Sequence, residues 1–191
     1  DPLADHRARH FLLAALLVAV SPSASHAAWP HDPFGEGLVL GSLGTGSTVS
    51  CVSDGEGGTI ALWDEGNLLH AQRVDAYGNA LWGAGGRIVV TSGYGLLEPV
   101  ACPDGAGGVL VAYLDSRVAQ TDISVQRIDA QGNALWGSSG VLLCGAAGFQ
   151  LNPKIASVGA NGAVVAWEDP RSGSSRIYAQ RLSLAGVPQW T

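Results

Sequence analysis

Acidic residues recur at one place in this 191-residue chain, as Asp64-Glu65, Asp115 and Glu168-Asp169. Two carboxylates held roughly 5–9 Å apart could act as the acid and nucleophile of a glycosidase. The competing reading keeps each carboxylate at home, with Asp115 pairing with Arg117 and Asp169 with Arg171. An acid that comes once per repeat is spread over the modules and does not converge on one site. The second reading is therefore favoured. Asp115, Arg117, Asp169 and Arg171 still border the least repetitive loops (65–68, 116–121 and 170–175), and loops are where binding residues concentrate. Any ligand contact is expected there.

Other chemistries find less support. Asp115 and Asp122 could give oxygens to a calcium ion, but such an ion wants six or more. The third repeat has Ser175 where Asp122 would fall, and the first lacks the loop. No Cys-x-x-Cys or Cys/His spacing suggests a metal, and neither metal nor cofactor is expected. Beyond residue 27 the only histidines are His31 and His70, and no Gly-x-Ser-x-Gly elbow is present. The glycine-rich stretch from Gly41 to Gly46 lacks the Lys-Ser/Thr of a phosphate loop. The Ser-x-Asp-x-Gly-x-Thr-Trp box of sialidases is missing too. No catalytic residue is assigned.

Two further residue types keep a fixed interval. Gln72, Gln126 and Gln180 lie 54 residues apart, as do Trp82, Trp136 and Trp190. The tryptophans could stack on sugars, but one per repeat fits packing between modules better. A glutamine on a buried strand is expected to bond neighbouring backbone. A fixed period of this length identifies a stacked supersecondary unit.

Composition bounds the rest. The chain is 47% hydrophobic and only 14% charged, which is globular composition. Net charge is −6, with Lys154 the sole lysine, so neither nucleic acid nor an anionic membrane is an expected partner. Arg7 and Arg9 precede an apolar run at 11–20, followed by small residues to Ala27. That is the pattern of a secretory signal over 1–27, since ten apolar residues fall short of the roughly 20 a membrane span needs. No methionine is present, so the natural reading frame is expected to start upstream. Cys51, Cys102 and Cys144 are odd in number. Cys51 and Cys102 also sit out of step in their repeats, so buried thiols are as well supported as a bridge.

Residues 28–40 read as a linker or a first, unpaired strand, followed by modules at 41–86, 87–140 and 141–191, the last truncated. In the third, strands are expected at 153–157, 163–167 and 176–183, with a fourth around Gln189-Trp190. Residues 109–114 and 163–167 are apolar without alternation, which predicts burial on both faces. Four short antiparallel strands per unit, stacked face to face, make an all-β chain of β-propeller blades in an incomplete ring.

The motif carries a resemblance. Asp104-Gly-Ala-Gly-Gly108, Asp115-Ser-Arg117, Asp122-Ile123, Gln126-Arg-Ile-Asp129, Gly132-Asn133 and Trp136 resemble the β-propeller repeat of secreted and cell-surface bacterial proteins. The likeness covers everything after the linker. The third module departs at Val158 and Ser183, where the motif has aspartates. The resemblance implies a secreted, non-enzymatic binding or scaffold module from a larger extracellular protein. Its partner would be an extracellular protein or glycan, with further blades of the same chain or self-association completing the ring. The alternatives are a carbohydrate-binding lectin and the non-catalytic part of a secreted hydrolase.

Overall fold

The computed structural model describes residues 37–42, 47–116 and 120–191. The expected signal at 1–27, the linker up to residue 36 and Arg117 lie outside the described residues.

Eleven strands and no helix make up the described residues. The first sheet holds β1 (Val49–Ser53), β2 (Thr59–Glu65), β3 (Leu68–Val74) and β4 (Arg87–Thr91). The second holds β5 (Leu96–Pro103), β6 (Val109–Asp115), β7 (Asp122–Ile128) and β8 (Val141–Cys144). The third has only β9 (Leu151–Ser157), β10 (Ala163–Asp169) and β11 (Arg176–Leu182). All pairings are antiparallel between chain neighbours.

The repeat motif builds the turns. Asp54 accepts backbone N–H groups of Glu56 and Gly58 at 2.9 and 2.8 Å, and Asp104 does the same for Ala106 and Gly108. These are Asx turns, in which a short carboxylate takes the place of backbone acceptors. The final glycine of the motif is sterically required. A Cβ on Gly108 would stand 2.1 Å from the Ile128 carbonyl oxygen. Asp75 and Asp129 close the later turns in the same manner, each bonded to a backbone N–H and the side chain of the following asparagine.

Glutamine is the clamp of each module. Gln126 donates to the Gly137 carbonyl at 2.6 Å and accepts the Trp136 N–H at 3.0 Å. Gln72 holds Gly83 and Trp82 identically, and Gln180 takes both backbone groups of Trp190. The chain is thereby pinned at the tryptophan before it swings out to the next strand.

Buried clusters stack the sheets. Ile60, Leu62 and Ala71 of the first sheet meet Val109, Val111 and Tyr113 of the second. From the opposite side of the second sheet, Ala112, Leu114, Ile123 and Val125 meet Val165 and Trp167 of the third. The middle sheet is therefore covered on both faces, and β6 is buried from end to end. Each of its large apolar side chains contributes about 1.5–3 kcal/mol by leaving water.

The third sheet corrects three expectations. No fourth strand forms around Gln189-Trp190. Leu182 and Pro188 make an isolated bridge, as do Val74 with Ala80 and Ile128 with Ala134. The true fourth strands, β4 and β8, start only after a further glycine-rich turn beyond each clamped tryptophan. For the same reason sheets and repeats do not share boundaries. Arg87–Thr91 and Val141–Cys144 open the second and third modules in sequence but complete the first and second sheets in space. Finally, β10 alternates, with Ala163, Val165 and Trp167 buried but Val164 and Ala166 only half so. Its far face meets no further sheet among the described residues. Among the described residues the three sheets form an open stack.

Candidate functional site

On β10 the period of two places Trp167 and Asp169 on the same side. Pro170 then begins a turn closed by the Gly173 N–H on the Pro170 carbonyl at 2.8 Å, which brings Arg171 back over the strand end. The Trp167 indole N–H donates to Asp169 Oδ2 at 3.1 Å. Arg171 donates its Nε–H to the same oxygen at 2.9 Å, its backbone N–H to Oδ1, and an Nη2–H to Oδ2. The guanidinium carbon lies 4.3 Å from the centre of the Tyr178 ring, a cation–π contact. Tyr178 is the register partner of Trp167, and their rings stack at 6.5 Å.

The second sheet completes the site. Cys144, the last residue of β8, approaches Arg171 Nη2 at 2.8 Å and Asp169 Oδ2 at 3.6 Å. Cys144, Trp167, Arg171 and Tyr178 line a half-open cleft of about 400 Å³ that continues past Leu143 and Gln180 to Trp190, while Asp169 is fully buried. Hydrogen bonds from Arg171 hold the Asp169 carboxyl well below the usual carboxylate range, overcoming the burial that opposes its charge. Burial pushes the Cys144 thiol up, against the pull of the Ala146 N–H and Arg171. At neutral pH the cleft therefore presents a guanidinium, held by a buried carboxylate, and a neutral thiol beside aromatic rings.

Such a site suits binding better than proton transfer. Asp169 has no proton to give, and its side chain is fully buried while that of Arg171 is 35% exposed. A planar or anionic group could lie on the tyrosine, tryptophan and guanidinium surfaces.

The other expected ligand contacts are placed differently. Asp115 is fully buried at the end of β6 and accepts the Ser92 hydroxyl at 2.9 Å. Its counterpart in the first sheet, Asp64, accepts the hydroxyl and backbone N–H of Thr48. Asp115 and Asp169 thus belong to separate sheets, each with its own partners, and Arg117 lies outside the described residues. Asp122 is the cross-strand neighbour of Asp115. In the third sheet Arg176, and not Ser175, stands opposite Asp169, a one-residue correction to the expected alignment. No group of three or more His, Cys, Asp or Glu gathers among the described residues.

Sequence reasoning paired Asp169 with Arg171 but passed over the remaining members. The Trp167-x-Asp169 spacing was a readable signal, being one strand period. Cys144 was not readable, since it arrives from another sheet. The cysteines form no disulfide, with Cys51 exposed and Cys102 and Cys144 buried. The out-of-step placement explains the first two, because Cys51 pairs with Ala61 on one face and Cys102 with Leu110 on the other.

What this defines is an all-β chain of three stacked antiparallel sheets with an aromatic and ionic cleft on the third. No protein-family model matches the chain, and no curated protein matches it.

Proposed function

We propose that the three sheets are blades of a β-propeller and that the chain is a secreted, non-catalytic binding or scaffold module. The observation that carries this reading is the middle sheet, buried on both faces by two sheets of the same repeat. A two-layer sandwich would leave one face of each sheet wet, whereas blades in a row cover their inner members completely. The recurrent carboxylates and glutamines are spent on turns and clamps, which leaves the loops to carry function.

A glycan is the ligand class that the cleft favours. Tyr178 and Trp190 offer ring surface, and Arg171 offers donors for hydroxyl or carboxylate oxygens. The competing role, the non-catalytic part of a hydrolase, shares the fold but needs chemistry elsewhere. Incubation with a panel of neutral and acidic oligosaccharides tests the reading. Binding without product supports it, while release of a cleaved product overturns the non-catalytic assignment. Export is tested separately, by finding the protein outside the cytoplasm with Ala28 at its new N-terminus.

A further inference from the structure

Two loops use buried hydrogen bonds to hold one aromatic ring each out in water. They are the connections 92–95, from β4 to β5, and 145–150, from β8 to β9. Each crosses a junction with a described sheet on either side. Both leave at the same end of the stack as the turn at 66–67 and the loop at 170–175, because neighbouring strands alternate in direction. Tyr94 is 71% exposed and Phe149 55%.

Neither loop is slack. Ser92 is buried, donates its hydroxyl to Asp115 at 2.9 Å and accepts the Tyr94 N–H at 3.3 Å. Its own N–H goes to the Asn67 carbonyl at 2.8 Å, and that of Leu96 to the Gly66 carbonyl at 3.1 Å. The second loop folds round Gln150. This fully buried side chain donates to the Ala146 and Gly148 carbonyls at 3.0 and 2.9 Å, while its Oε1 meets no partner among the described residues. Gln120 accepts the Gly148 N–H at 2.9 Å, and Gly148 packs on Pro170. An orphaned buried acceptor lowers stability. What the amide supplies is the fixed shape of the loop that carries Phe149. Each loop then enters its strand through a register shift that contains a left-handed residue, Glu98 or Asn152, both at φ 52°. A glutamate there is strained, and strain of this kind collects where a structure is shaped for a ligand.

Residues 92–97 and 145–151 include no charged side chain, so nothing in these loops selects an ion. The rings stand at successive junctions, and sheets packed face to face lie about 10 Å apart. Two rings so separated do not make the continuous face of about 800 Å² that a protein partner wants. They suit a linear chain whose successive units each offer a flat, weakly polar face to an aromatic ring.

We propose that Tyr94 and Phe149 are the two stacking positions of one track for a neutral oligosaccharide, one ring at each junction. Asp115, acting through Ser92, and Gln150 are the positioning residues. The inference deepens the glycan reading above and rests on it, but neither ring lines the cleft at Arg171 and Tyr178.

Calorimetry of the full chain tests it, with cellohexaose and maltohexaose compared against cellobiose and maltose. Wild type should bind one hexaose at least about tenfold more tightly than its disaccharide, because the second contact is then intramolecular. Tyr94→Ala and Phe149→Ala should each bring that ratio down to about one, and Tyr94→Phe should keep it. Both rings are exposed, so the urea midpoints of these variants should match wild type. Ser92→Ala should lower the same ratio, which a purely structural role would not move, and an unchanged ratio overturns its positioning role. A wild type without the length dependence, or alanine variants indistinguishable from it, overturns the track. Arg171→Ala separates the two readings. If it loses all binding while Tyr94→Ala and Phe149→Ala bind as wild type, the track falls and the cleft reading stands. A wild type that binds none of the four sugars overturns both.

Discussion

Trp82 lies against Gly132 of the neighbouring sheet so closely that a Cβ at Gly132 would stand 2.8 Å from its indole ring. One glycine and one tryptophan, in different modules, therefore set how near the first two sheets can come.

Gly132→Ala should be markedly destabilising. Gly132 also has a left-handed φ of 84°, so the substitution combines backbone strain with a clash, about 2–4 kcal/mol together. Gly137 has a similar φ but open space around it. Gly137→Ala should cost only about 1–2 kcal/mol. Urea midpoints of the two variants compare them directly, and equal losses would mean that Trp82 is not held at this distance.

Gln126→Ala removes the clamp of the middle module and strands the Trp136 N–H and the Gly137 carbonyl. The expected loss is about 2–4 kcal/mol, since each buried orphan costs about 1–3. Gln180 holds the backbone N–H and carbonyl of Trp190 at an exposed site. Gln180→Ala should cost under about 1 kcal/mol, measured by the same denaturation.

Val158→Asp should stabilise the chain. Asp54 pairs with Arg73 and Asp104 with Arg127, at 2.9 and 2.8 Å, while Val158 leaves Arg181 Nε without a partner among the described residues. The backbone is already suited to a carboxylate, because the Val158 N–H bonds the Gly162 carbonyl as Asp54 does Gly58. A gain of about 0.5–1.5 kcal/mol is expected, the size of a cap plus a half-exposed ion pair. In the opposite direction, Asp104→Val should cost about 3–5 kcal/mol by leaving Arg127 uncompensated.

Acid should loosen the third sheet. The Asp169 carboxyl lies below its ordinary value of 3.8 in the folded chain. Its contribution to stability is therefore complete above about pH 4 and drains away as pH falls further. Asp169→Asn should flatten the fall in urea midpoint below pH 4 without abolishing it, because Asp54 and Asp129 are depressed as well. An unchanged profile would mean that the Arg171 pair is not formed.

Thiol labelling should be sequential. Cys51 is exposed and should react in the native state, whereas burial and the nearby Asp104 push the Cys102 thiol up to about 11. A chromogenic disulfide reagent at pH 8 should titrate Cys51 first and all three cysteines only in denaturant.

The sequence alone determined that the chain is all-β and where β9, β10 and β11 run, but not where a fourth strand forms. Turn chemistry is local: Asp104 with Gly108, and Asp129 with Asn133, close rings of a few residues that need no distant partner. The pairing of Asp169 with Arg171 was readable for the same reason. What only tertiary structure decided were the contacts made between modules. Cys144 reaches Arg171 from another sheet, β4 and β8 complete the sheet before the one that follows them, and Val164 and Ala166 lose the cover their composition anticipates. An apolar run records what a strand can bury, but whether a neighbour arrives to bury it depends on which sheets stand beside it.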